Sequence, residues 1–197
     1  MKIINQLIGF INNNPLSGPV ASAILIGLLA LSSQSLWIDE LGTWRLTRAD
    51  GWDSWVEQLL NWRNSDAQMP LYHAWIKLWV TLFGEREWVM RASNLPWLVA
   101  ALYAYWRAPV GHTAVSWVRW AGVLCALHPL TWYYLNELRP YVVLLAAASW
   151  AGVGLVGVWR ESDDPREARL ARHFLIAGLA LLSAMGGIGA IWTLAFA

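Results

Sequence analysis

Long apolar runs, interrupted by short clusters of charge, set the pattern of this chain. A helix needs ~20 mostly apolar residues to cross a bilayer. About five stretches approach that length: 17–37, 88–106, 113–134, 140–159 and 173–197. No charged residue occurs between Lys2 and Asp39, and Asn12-Asn13-Asn14-Pro15 breaks any helix ahead of the first run. The pattern predicts an all-α polytopic transmembrane bundle, one membrane domain over 1–197.

The segment 38–87 reads differently. Trp52, Trp55, Val56, Leu59 and Leu60 recur at i, i+3, i+4, i+7 and i+8, with Asp53, Glu57, Gln58 and Asn61 on the other face. This spacing predicts an amphipathic helix lying on the bilayer surface. A second helix follows Pro70, from Leu71 to Phe83, and Gly84 ends it. It is apolar except for a stripe of His73, Lys77 and Thr81, and it is too short to span.

Composition agrees with the pattern. Of 197 residues, 57% are hydrophobic and only 14% charged, a membrane balance rather than a soluble one. The 16 tryptophans suit the headgroup layer. A net charge of +1 provides no field to recruit nucleic acid. The single cysteine, Cys125, excludes an intrachain disulfide and a cysteine metal site. Arg107, His112 and Arg119 flank one short loop, and Arg160, Arg166, Arg169 and Arg172 flank another. The positive-inside rule makes these loops cytoplasmic, with the first run a retained signal anchor. Segments 39–87 and 128–139 then face outward. The acidic and basic residues at 161–167 read as a solvated inner loop.

Three polar groups converge on that outer face: Asp39-Glu40 at the end of the first run, the His73/Lys77 stripe, and Asn136-Glu137-Leu138-Arg139-Pro140-Tyr141 at the start of the fourth. Ionisable residues at a membrane boundary are costly and mark candidate sites. Their gathering at one face rather than at the midplane disfavours a transporter. The four histidines, His73, His112, His128 and His173, show no metal-ligand spacing.

Several motifs carry a family resemblance. Trp37-Ile38-Asp39-Glu40 resembles the acidic motif of the GT-C membrane glycosyltransferases. Met69-Pro70-Leu71-Tyr72 with Leu78-Trp79 is similar to their Pro-Pro-Leu-Tyr helix. Gly84-Glu85, Glu87-Trp88 and Arg91-Ala92-Ser93-Asn94-Leu95-Pro96 resemble the approach to their next span. His128-Pro129 through Tyr133-Tyr134, then Glu137-Leu138-Arg139-Pro140-Tyr141, resembles their Ser-Pro…Glu-Ala-Arg-Pro-Tyr region. The branch is that of the dolichyl-phosphate-mannose–protein mannosyltransferases and bacterial aminoarabinose transferases.

The resemblance implies a bacterial plasma-membrane enzyme that moves a sugar from a polyprenyl-phosphate donor to an acceptor protein, lipid or glycan outside the cytoplasm, with inversion. It implies Asp39 as base, Glu40 beside it, and Arg139 on the departing phosphate. Lys77 and Arg91 add positive charge, while Glu137, Tyr141, His73 and Tyr72 contact substrate. An apolar groove between spans holds the prenyl tail. Some members use a divalent metal near the acidic pair, and the residues place no ligand set for one here. Met69, Asn136 and Leu138 depart from the family pattern. The family also has about twice as many spans, so the chain reads as an N-terminal part: a truncated gene product, a fragment, or one half of a split enzyme whose second subunit supplies the missing spans.

A plainer reading stands beside this one. The acidic pair is then a hydrated boundary, His73 and Lys77 are snorkelling side chains, and Arg139 pairs with Glu137 or a lipid phosphate. On that reading the chain is a non-catalytic membrane scaffold, a lipid-binding subunit, or an inactive fragment of such an enzyme.

Overall fold

A computed structural model describes residues 17–61, 69–109, 111–160 and 164–196, with side chains described over 18–61, 69–109, 117–160 and 164–185. The expected helix breaker at 12–15 and the first three residues of the solvated loop, 161–163, lie outside the described residues. Every regular element among the described residues is helical. In chain order they are α1 (Ser17–Ala30), α2 (Ile38–Thr47), α3 (Gly51–Asn61), α4 (Pro70–Phe83), α5 (Glu87–Ala92), α6 (Leu95–Trp106), α7 (Gly111–Leu127), α8 (Pro129–Leu135), α9 (Tyr141–Trp159) and α10 (Pro165–Phe196).

Among the described residues, two helices are long and apolar enough to cross a membrane: α9 and, within α10, Pro165–Met185. The apolar run 88–106 is divided, because Ser93 and Asn94 form a turn and Pro96 stands in the first turn of α6. The run 113–134 is divided at His128, which Pro129 holds in an extended conformation (φ −67°, ψ 131°). The freed carbonyls at the end of α7 are met by side chains of α8. Thr131 Oγ1 donates to Cys125 O at 2.7 Å and Trp132 Nε1 to Ala126 O at 2.8 Å. The last helix starts at Pro165 rather than His173. Proline suits a first helical position, and Asp164 accepts the Arg166 N–H at 2.8 Å.

The first run also ends early. Its helix stops at Ala30, and 31–37 is irregular, where the Ser32 hydroxyl accepts the Gln34 N–H at 3.0 Å, a local bond that competes with the helix. Asn136 satisfies this exit, donating to Ala30 O at 2.7 Å and accepting from Ser32 N at 2.7 Å.

Packing brings the ends of these segments together. One core joins Ala23, Ile26, Leu98, Ala126, Leu135 and Val142. Another joins Tyr72, Ile76, Met90, Leu138, Val143 and Met185. The amphipathic α3 buries Trp55 and Leu59 against Leu46 and Ala49, while Trp52, Val56 and Leu60 of the same stripe remain exposed. Helix α4 presents its His73/Lys77 stripe inward, and both residues are buried.

Helices α9 and α10 touch backbone to backbone. A Cβ added at Gly154 would overlap the backbone of Leu175, and one at Gly178 would overlap Ala151. Small residues permit such close approach. Overpacking here should cost about 1–3 kcal/mol. Gly154→Leu and Gly178→Leu should therefore lower the melting temperature in detergent. Gly152→Leu, on the same helix with open space around it, should melt close to the parent; equal losses in all variants would refute the tight crossing.

Candidate functional site

Helix α2 opens the site. Trp37 is its extended N-cap (φ −70°, ψ 161°), followed by Ile38, Asp39 and Glu40 in the first turn. Carboxylates are favoured there by the helix dipole. Successive helical residues project about 100° apart, so the two acids face different surroundings. Asp39 is 76% exposed, whereas Glu40 is 2% exposed.

Glu40 is committed on both oxygens. Its Oε2 accepts the Trp37 N–H at 2.8 Å and lies 3.2 Å from Arg91 Nη2. Its Oε1 accepts the Leu138 N–H at 2.9 Å. Arg91, buried beside it, donates to Ser32 O at 3.0 Å and Gln34 O at 2.7 Å. One turn further along α2, the Thr43 hydroxyl donates to Leu138 O at 3.3 Å. Both faces of the Leu138 backbone are thus held by α2. The Asn94 amide adds a third tether, donating to Leu135 O at 3.2 Å and Glu137 O at 2.9 Å.

This clamp fixes the residues on either side of Leu138. Arg139 Nη2 lies 3.5 Å from Asp39 Oδ2, with the guanidinium side chain 16% exposed. Tyr72 is buried close by, and its hydroxyl has no hydrogen-bond partner among the described residues. Burial pushes the Tyr72 phenol well above its ordinary pKa. The negative charges of Glu40 and Glu137 act in the same direction, and Arg139 opposes them. The phenol therefore stays protonated and is a hydrogen-bond donor within the field of Glu40, Arg139 and Glu137.

Tyr72 also lines a cleft of about 330 Å³ with Trp52, Trp75, Trp97, Val143 and Leu181. Trp97 Nε1, another donor, is likewise buried without a partner among the described residues. Tyr141 is 41% exposed and stacks on Tyr134, ring centroids 4.4 Å apart. Both tyrosines border a separate apolar groove of about 520 Å³ between α7, α8 and α9.

The remaining expected residues have other surroundings. Lys77 donates to Thr47 O at 3.0 Å and to Ala49 O, so its ammonium caps the C-terminal end of α2. His73 is buried against the edge of Tyr72, ring centroids 5.8 Å apart. Among the described residues no three acidic, histidine or cysteine side chains come together to hold a metal ion. With both Glu40 oxygens engaged, Asp39 alone is an incomplete donor set.

Thr43 and Asn94 shape the site without standing out in the sequence, and Asn136, from the third polar group, holds the exit of α1. Their signal in the sequence is faint: uncharged side chains at the edges of apolar runs, with the partner carbonyls far away along the chain. Compared with known proteins, the chain matches no family model, no curated protein and no solved structure.

Removing one member of a buried ion pair strands the other and costs about 3–5 kcal/mol. Glu40→Ala should therefore destabilise the protein by that order, with the loss read by thermal unfolding in detergent; a melting temperature equal to the parent's would deny Glu40 this role. Tyr72→Phe should be at least as stable as the parent near neutral pH, because it removes a buried hydroxyl without a partner, a burden of about 1–3 kcal/mol. The folded phenol ionises at higher pH than the unfolded one. Its contribution is thus complete below the unfolded value of about 10 and lost as pH rises beyond it. The same variant should blunt that alkaline loss.

Proposed function

We propose that this chain belongs to a multi-pass membrane glycosyltransferase of the GT-C kind, using a polyprenyl-phosphate sugar on the outer face of a plasma membrane. The observation that carries this reading is the open carboxylate of Asp39 set 3.5 Å from the largely buried guanidinium of Arg139. The donor phenol of Tyr72 lies within the field of Arg139 and lines an apolar cleft.

The chemistry divides between these groups. Asp39 takes the proton from the acceptor hydroxyl. The acceptor oxygen bonds to the anomeric carbon on the face opposite the phosphate. The bond from that carbon to the phosphate oxygen breaks, and its electron pair leaves with the polyprenyl phosphate. Arg139 neutralises the departing charge, for which its planar fork is suited. A phosphate is already a good leaving group, so no general acid is needed. The mutual Asp39–Arg139 contact is no obstacle, since it is long, 3.5 Å, and its carboxylate is open to water, which screens the attraction. The prenyl tail occupies the cleft below Tyr72, and the runs around α1, α5–α6, α7–α8, α9 and α10 form about five crossings.

The contact of Asp39 with Arg139 also favours a second reading. It ties α2 to the loop before α9 and would serve a scaffold that has no chemistry. Activity decides between the two. Membranes carrying the chain, co-expressed with any partner subunit it requires, are supplied with a panel of radiolabelled polyprenyl-phosphate hexoses and pentoses. Loss of a general base typically costs about 10²–10⁴-fold. Asp39→Asn should lower transfer by that order while leaving the melting temperature near the parent's. Transfer at the parental rate in Asp39→Asn would remove Asp39 from the chemistry.

A further inference from the structure

A second concavity lies at the opposite end of the helices from Asp39. Its volume is about 340 Å³, and it is lined by Arg107, Arg166, Glu167, Arg169, Leu170 and His173. Arg166, Arg169, Leu170 and His173 follow i, i+3, i+4, i+7 spacing, so α10 presents them on one face. Arg107 comes from the end of α6. Three guanidinium groups thus line one hollow with a single carboxylate.

This arrangement is not what helix stability would select. Arg166 and Arg169 stand near the N-terminal, positive end of α10, where cations are disfavoured. A positive-inside signal needs basic residues only somewhere in the loop, not lining one cavity. Convergent guanidinium groups do match a phosphate diester, which can accept hydrogen bonds from several of them at once. The floor of the hollow is apolar: Leu170 packs against the core of Ala104, Ala108, Val153 and Phe174. One turn below His173, on the same face of α10, Ile176 is 64% exposed. A basic hollow continuous with an exposed apolar helix face fits an amphiphile better than a soluble anion.

We infer that this pocket, formed by Arg107 with Arg166, Arg169 and His173, binds the phosphodiester headgroup of an anionic membrane phospholipid at the cytoplasmic surface. The acyl chains lie along α10 past Ile176. The inference depends on the chain crossing a membrane and is independent of glycosyl transfer.

The test uses the full chain in phosphatidylcholine vesicles containing a small proportion of spin-labelled phosphatidylglycerol. Electron paramagnetic resonance measures the immobilised lipid, and unlabelled lipids compete for it. Unlabelled phosphatidylglycerol should displace the label roughly 5-fold or more better than phosphatidylcholine. The Arg107→Gln/Arg169→Gln double variant should abolish that preference. Both side chains are exposed, so folding should be retained, as tryptophan emission can verify. Arg172→Gln, whose guanidinium is turned back to Ala168 O at 3.2 Å, should keep the preference. An unchanged preference in the double variant would overturn the site, and so would an equal loss in Arg172→Gln, which means diffuse surface charge. Displacement by soluble glycerol phosphate as effective as by the lipid would overturn the lipid assignment. Should the double variant fail to fold, the parental protein still decides the matter: equal displacement by the two lipids would overturn the inference.

Discussion

Glu40 places a carboxylate where water cannot reach it, and a buried charge must be neutralised and its lone pairs occupied or the fold does not hold. Arg91 supplies the opposite charge, and the Trp37 and Leu138 N–H groups complete the shell. Each partner comes from a separate part of the chain. Arg91 in turn carries donors beyond Glu40, and these draw in the carbonyls of Ser32 and Gln34. The irregular stretch 31–37, the first turn of α2, the end of α5 and the loop before α9 are therefore organised around one ion pair. Its net contribution to stability is small or even unfavourable relative to an apolar equivalent. Its effect is to specify which segments meet.

That constraint explains why adjacent acids behave so differently. Glu40 is used up in holding the Leu138 backbone, with Thr43 gripping the carbonyl of the same residue. Asp39, one residue earlier, stays open and meets Arg139, which the clamped loop delivers to it. In the proposed enzyme the supporting carboxylate would be rigid and the reacting one accessible, a separation that favours a fixed geometry around a free proton acceptor. Tyr72 belongs to both halves: it packs in the core with Leu138, and its phenol feels Glu40, Arg139 and Glu137 together.

The helix breaks serve the same corner. The end of α1, the Ser93–Asn94 turn and the Leu135–Pro140 loop are joined by side-chain hydrogen bonds from Asn136 and Asn94. In a bilayer, non-helical backbone is tolerated only where protein satisfies its polar groups. Asparagine amides with a donor and an acceptor end meet that need. The uninterrupted helices α9 and α10 lie against each other through Gly154 and Gly178 and provide the rigid wall behind the cleft at Tyr72.

Hydrophobic periodicity was enough to read an all-helical chain, the extent of α9, the amphipathic α3 and the short helix after Pro70, because each depends on neighbours within a few turns. The Asp39-Glu40 pair and Arg139 were visible as charges beside long apolar runs. Breaks at Ser93–Asn94 and Ala30 were not visible, since an apolar run carries no record of which distant amide will satisfy its carbonyls. The stripe on α4 shows the limit most clearly. From spacing alone Lys77 is a cation at a membrane surface; in the folded chain it faces inward and caps α2 through Thr47 and Ala49. The sequence determined which residues carry charge and roughly where helices form, because those are local properties. Only tertiary packing decided that Glu40 is buried while Asp39 is open, because that depends on Arg91 and Leu138 arriving from far along the chain.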